Sequence, residues 1–169
     1  MNEEFERKEF SVTVDCDQET GRVVSELWRD QFGRFDRPRD LPAVTFFCPD
    51  TGNISQQRWH QSVAGDGPHR DGDKPAKIIF DPETGIKLIE SYIKSGRYHR
   101  DEGKPAEIVR RLDGSEEERL YFRHGKLDRP ISAGPAVVRF DETGNVTSSE
   151  YWIEGRKIDS KSPQPRLDR

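Results

Sequence analysis

The chain is predicted to be all-β, an elongated antiparallel meander of tandem β-hairpin repeats with a period of about 30 residues. Three marks that hold phase along the 169 residues predict this. Glycines after Thr or Asp stand at Gly21, Gly52, Gly85, Gly114 and Gly144, at spacings of 31, 33, 29 and 30. An aromatic residue follows each by seven positions: Trp28, Trp59, Tyr92, Tyr121 and Tyr151. Pro-Ala pairs recur at Pro42-Ala43, Pro75-Ala76, Pro105-Ala106 and Pro135-Ala136, spaced by 33, 30 and 30.

Each unit reads as a hairpin. A first strand follows Pro-Ala, as in Ile78-Ile79-Phe80 and Val137 to Phe140. The proline lacks an N–H and suits the start of a strand. Asp81-Pro82-Glu83-Thr84-Gly85 and Asp141-Glu142-Thr143-Gly144 are turn sequences. A second strand carries the aromatic, and Gly33, Gly96, Gly125 or Gly155 is predicted to end it. The best helical candidate, Ser115 to Leu120, is too short and too polar to form one. The sum is roughly nine to ten strands, a sheet on the order of 40–45 Å long at ~4.8 Å per strand. The array is expected over 11–158, after a lead-in at 1–10 and before a flexible tail at 159–169.

Composition narrows the function. Apolar residues are 31% and charged residues 36%, too lean for a thick two-layer core. The net charge of -4 comes from interspersed signs, so no basic nucleic-acid footprint appears. No apolar run approaches a membrane span, and the acidic N-terminus has no signal-peptide character, which makes the expected location cytoplasmic. Cys16 and Cys48 sit at matching places in neighbouring units and read as reduced, partly buried thiols.

The run of turn glycine, strand aromatic, Gly-Lys or Gly-Arg, His-Arg and Gly-x-Pro-Ala resembles a MORN-type repeat, in the longer variant of bacterial YwqK-type antitoxin components. Tyr92 to Ile108 and Tyr121 to Val138 carry the resemblance best. The first unit departs from it at Arg39-Asp40-Leu41, and the second has an inserted-looking Ser62 to Asp66. The resemblance implies an elongated sheet, protein binding and, in some members, toxin neutralisation.

No catalytic motif is present, and the Glu116-Glu117-Glu118 run reads as a solvated face. Two in-phase histidines, His69 and His99, do not supply the three or four ligands of a zinc site, so neither metal nor cofactor is expected. The reading is a non-catalytic protein-binding scaffold, such as an antitoxin or immunity protein; the alternative is a membrane-surface MORN-type module. The candidate partner-binding residues are Arg37, Arg70, Arg100 and Arg129, in phase before each Pro-Ala, with His69 and His99. Beside Asp36, Asp71, Asp101 and Asp128, this arginine row also reads as a structural feature that fixes the turns.

Overall fold

The computed structural model describes residues 8–61, 65 and 67–159. The inserted-looking residues 62–64 and 66, the tail beyond 159 and most of the lead-in lie outside the described residues. The strands are β1 (Phe10–Cys16), β2 (Val23–Asp30), β3 (Val44–Phe47), β4 (Ile54–Arg58), β5 (Lys77–Phe80), β6 (Lys87–Ser91), β7 (Ile93–Lys94), β8 (Arg97–Tyr98), β9 (Glu107–Arg110), β10 (Glu116–Leu120), β11 (Phe122–Arg123), β12 (Lys126–Leu127), β13 (Val137–Phe140), β14 (Val146–Ile153) and β15 (Arg156–Ile158). No α-helix occurs among the described residues. One antiparallel meander of 11 strands runs β1-β2-β3-β4-β5-β6-β9-β10-β13-β14-β15, with β7-β8 and β11-β12 as separate pairs.

Side-chain hydrogen bonds close the turns of the long hairpins. The carboxylate of Asp81 accepts from both the Thr84 N–H and its hydroxyl, at 2.8 and 2.6 Å. Asp17 does the same for Thr20, and Asp141 for Thr143. Cys48 stands in the place of Asp17 and Asp81: the Gly52 N–H bonds its carbonyl as Gly21 bonds Asp17 and Gly85 bonds Asp81. The two cysteines are therefore one position out of phase rather than matched. Hydrogen bonding from Thr51 lowers the Cys48 thiol pKa from its ordinary value.

Two expectations about the strands are corrected. Among the described residues the main sheet has 11 strands, not nine to ten; Gly33 and Gly155 follow the second strand as expected, but Gly96 and Gly125 lie in separate short hairpins beyond a second strand that has already ended. At Tyr92 the chain leaves the main sheet: its N–H donates to the Ala106 carbonyl at 2.7 Å and its own carbonyl accepts from the His99 N–H at 3.0 Å. Trp59 and Tyr121 are placed alike, between Ala76 and His69 and between Ala136 and Asp128. Beyond the bend the chain forms a short second hairpin, β7-β8 or β11-β12. In β14 the two functions share one strand, since Val146 to Glu150 pair with β13 and Tyr151 to Ile153 with β15. Ser95-Gly96, His124-Gly125 and Glu154-Gly155 all have positive φ, the signature of a two-residue type I′ turn. Ser, His and Glu are uncommon first residues for that turn, which hid these hairpins from sequence patterning.

The short hairpins lean on one another. The Gly96 N–H donates to the Pro68 carbonyl, Gly125 to Tyr98 and Gly155 to Leu127, at 2.9–3.0 Å. The core lies where the main sheet meets this row. Ala43, Ala76, Ala106 and Ala136 are completely buried there, joined by Trp59, Ile78, Ile93, Ile108, Tyr121, Val137 and Val138. Each alanine bonds the bend of a neighbouring strand through its carbonyl, and a methyl is the side chain that leaves room for the ring beside it. The rings of Tyr98 and Phe122, on successive short hairpins, meet at a tilt with centres 5.0 Å apart. A 31% apolar chain needs little more, because each strand buries only a few side chains.

Candidate functional site

The bends carry the arginine row. Arg37, Arg70, Arg100 and Arg129 lie over the rings of Trp28, Trp59, Tyr92 and Tyr121, with guanidinium carbons 4.3, 4.0, 3.5 and 3.7 Å from the ring centres. Nη1 of each donates to the carbonyl of the following Pro42, Pro75, Pro105 or Pro135 at 3.0–3.4 Å. One side chain thus ties the bend residue to the start of the next long strand. Arg suits this task because its planar fork stacks and donates at once.

The remaining donors reach across to the preceding loop. Nε and Nη2 of Arg70 grip the Asp40 carboxylate at 2.7 and 3.0 Å, and Lys74 joins at 2.7 Å. Arg100 grips Asp73 at 2.5 and 3.1 Å, with Lys104 at 2.9 Å. Hydrogen bonding from Arg70, then from Lys74, lowers the Asp40 pKa from 3.8 to about 2, against the opposing effect of burial. The same two kinds of donor hold Asp73 well below the usual carboxylate range. Asp40 and Asp73 both stand two residues before Pro-Ala, and aligning the units on the proline would have singled them out.

The acids next to the row have other partners. Asp71 accepts from Gln61 and His69, Asp101 from Lys94 and His99, and Asp128 from Arg123. Both candidate histidines brace the next short hairpin. Nδ1 of His69 accepts from the Ser95 N–H at 2.9 Å, and Nδ1 of His99 from the His124 N–H at 3.3 Å. Nε2 faces Asp71 or Asp101, so the proton of the neutral ring belongs on Nε2. His99 also stacks on His124 at 4.5 Å.

His60 escaped sequence reading. It is buried against Phe35, 5.2 Å between ring centres, with Nε2 lacking a hydrogen-bond partner among the described residues. Burial, then the nearby Arg58 charge, lowers its pKa from 6.5 to about 4.

Three grooves separate successive bends. The first, about 380 Å³, holds Trp59, Arg70 and Asp40. The second, about 260 Å³, holds Tyr92, Arg100 and Asp73. The third, about 260 Å³, holds Tyr121, Arg129 and Gly103. No cluster of three or more metal-ligating side chains occurs among the described residues. No helix among them is long and apolar enough to cross a membrane.

Fold and site define an all-β protein of one large sheet whose bends are pinned by arginines stacked on rings. Comparison of the chain with protein-family models, curated proteins and solved structures found no match.

Proposed function

We propose that the chain is a non-catalytic protein-binding scaffold, a tandem array of MORN-like β-hairpins of the kind used by antitoxins and immunity proteins. The observation that supports this reading most is the arginine row itself. Stacked on rings and bonded to proline carbonyls, it holds a series of loops in fixed positions along one side of an open sheet. Loops on a rigid scaffold are a common recognition surface. The grooves between them are lined mainly by charged side chains that pair with one another, an arrangement suited to a polar protein surface. Exposed apolar side chains, among them Phe32 and Leu112, offer further contact points.

The test has two stages. Affinity capture from the native cell identifies a protein, and titration calorimetry with that protein, separately purified, is expected to show saturable binding at fixed stoichiometry. If the captured protein is a toxin, co-expression of this chain should relieve its growth arrest. Flotation with anionic vesicles, with no saturable protein binding, would overturn the reading in favour of a membrane-surface module.

A further inference from the structure

The third groove departs from the other two. At the place held by Asp40 in the first and Asp73 in the second, two residues before Pro-Ala, it has Gly103. Nε of Arg129, the atom whose counterparts donate to Asp40 and Asp73, is buried with no hydrogen-bond partner among the described residues. Nη1 of Arg129 keeps its bond to Pro135 and the guanidinium keeps its ring, so the arginine is oriented as the others are. A Cβ built on Gly103 would meet no atom within 4 Å, so the space where a side chain would begin is open.

The carboxylates of the third groove are all engaged elsewhere. Asp101 goes to Lys94 and His99, Glu102 to Lys104, and Asp128 to Arg123. A guanidinium N–H buried without an acceptor is costly, and a carboxylate is the group whose two oxygens match an Nε/Nη2 fork. The neighbouring grooves show that this scaffold accepts that group in that place.

We infer that Arg129, facing the open space at Gly103, is a carboxylate-binding site that takes an aspartate or glutamate side chain from a protein partner. The site stands on the groove geometry alone; its macromolecular source rests on the protein-binding reading above. As the Arg129 guanidinium turns toward the open space at Gly103 and brings its buried Nε within reach, the partner's carboxylate completes the contact that Asp40 and Asp73 complete from within the chain.

Arginine Nε–H resonances of the full chain report on this directly. The probes are sodium acetate against sodium chloride at equal ionic strength, and end-blocked Gly-Asp-Gly against end-blocked Gly-Asn-Gly peptide. Acetate and the Asp peptide should shift the Arg129 resonance, while Arg70 and Arg100 stay in place and chloride and the Asn peptide have no effect. Gly103→Asp should abolish the shift by supplying the missing carboxylate. Asp40 adopts a positive φ of 55° at the corresponding position, against 65° at Gly103, so an Asp can be held there at the cost of left-handed backbone strain. Gly103→Ala carries the same backbone strain without a carboxylate and should keep the response. An Arg129 resonance unmoved by acetate, or one moved equally in Gly103→Asp, overturns the site. A response to acetate but not to the Asp peptide overturns the partner side chain and assigns the site to a free small carboxylate. Failure of the protein-binding reading shows separately, as absence of saturable binding in the calorimetry.

Discussion

The guanidinium of Arg100 lies 3.5 Å from the centre of the Tyr92 ring, at the point where the chain bends out of the main sheet. The same side chain holds Pro105, five residues on, and Asp73, 27 residues back, so it ties its own bend to the preceding loop. Arg100→Lys keeps the charge but loses the stack and the fork. It is expected to cost about 1–2 kcal/mol in urea unfolding, in the range of a partly desolvated cation–π contact. Unchanged stability would mean that the charge alone does the work. By the same logic Arg70→Ala with Arg100→Ala should melt well below wild type, so loss of partner binding in that double variant would not by itself identify a binding residue.

Tyr121 is buried against Ala136 and Val138, with Trp152 packed beside them. Tyr121→Ala should cost about 3–5 kcal/mol by equilibrium unfolding. Tyr151 is only half-buried and should lose less on the same substitution. Equal losses at the two positions would contradict this placement of the core.

A Cβ on Gly67 would overlap the Cα of Gly96, where two loop segments cross. The Gly96 N–H bonds Pro68 at this crossing, so the loops cannot part without losing a hydrogen bond. Gly67→Ala is expected to destabilise by roughly 1–3 kcal/mol, the usual range for overpacking. Wild-type stability for this variant would show that the crossing gives way easily.

The pH dependence of stability has two limbs. Folding lowers the His60 pKa from 6.5 to about 4, so the unfolded chain binds the extra proton first. Stability from this group is complete above about 6.5 and falls as pH drops toward 4. His60→Phe, which keeps a ring against Phe35 and removes the unpartnered Nε2, should flatten that limb. Asp40 gives a second limb: its contribution is present above 3.8 and is lost as pH falls toward 2. Asp73 acts in the same direction. Urea midpoints between pH 3 and 8 for wild type and His60→Phe check the first limb; identical profiles would rule out His60 as its source.

The all-β class and the five long hairpins were legible because their marks are local. A Thr-Gly turn, a β-favouring run and a strand aromatic each act within a few residues. The in-phase arginines were legible as a row for the same reason, although what they hold was not. The grip on Asp73 depends on loops 27 residues apart in the chain meeting in space, and the stack on Tyr92 on the bend that folds Arg100 back over a ring eight residues earlier.

Sequence by itself therefore determined the class, the turns and the spacing of the arginines. Only the tertiary structure decided that Trp59, Tyr92 and Tyr121 are bends, while Trp28 and Tyr151 stay within strands. Ser95-Gly96 and His124-Gly125 carry weak turn chemistry, and their short hairpins form because each leans on its neighbour through bonds such as Gly125 to Tyr98. It also decided that Asp40 and Asp73, and not the acids adjacent to the arginines, pair with Arg70 and Arg100. The difference at Gly103 acquires meaning the same way. A glycine in a turn is unremarkable in a sequence, and only the fork of Arg129 across the groove shows which group is missing there.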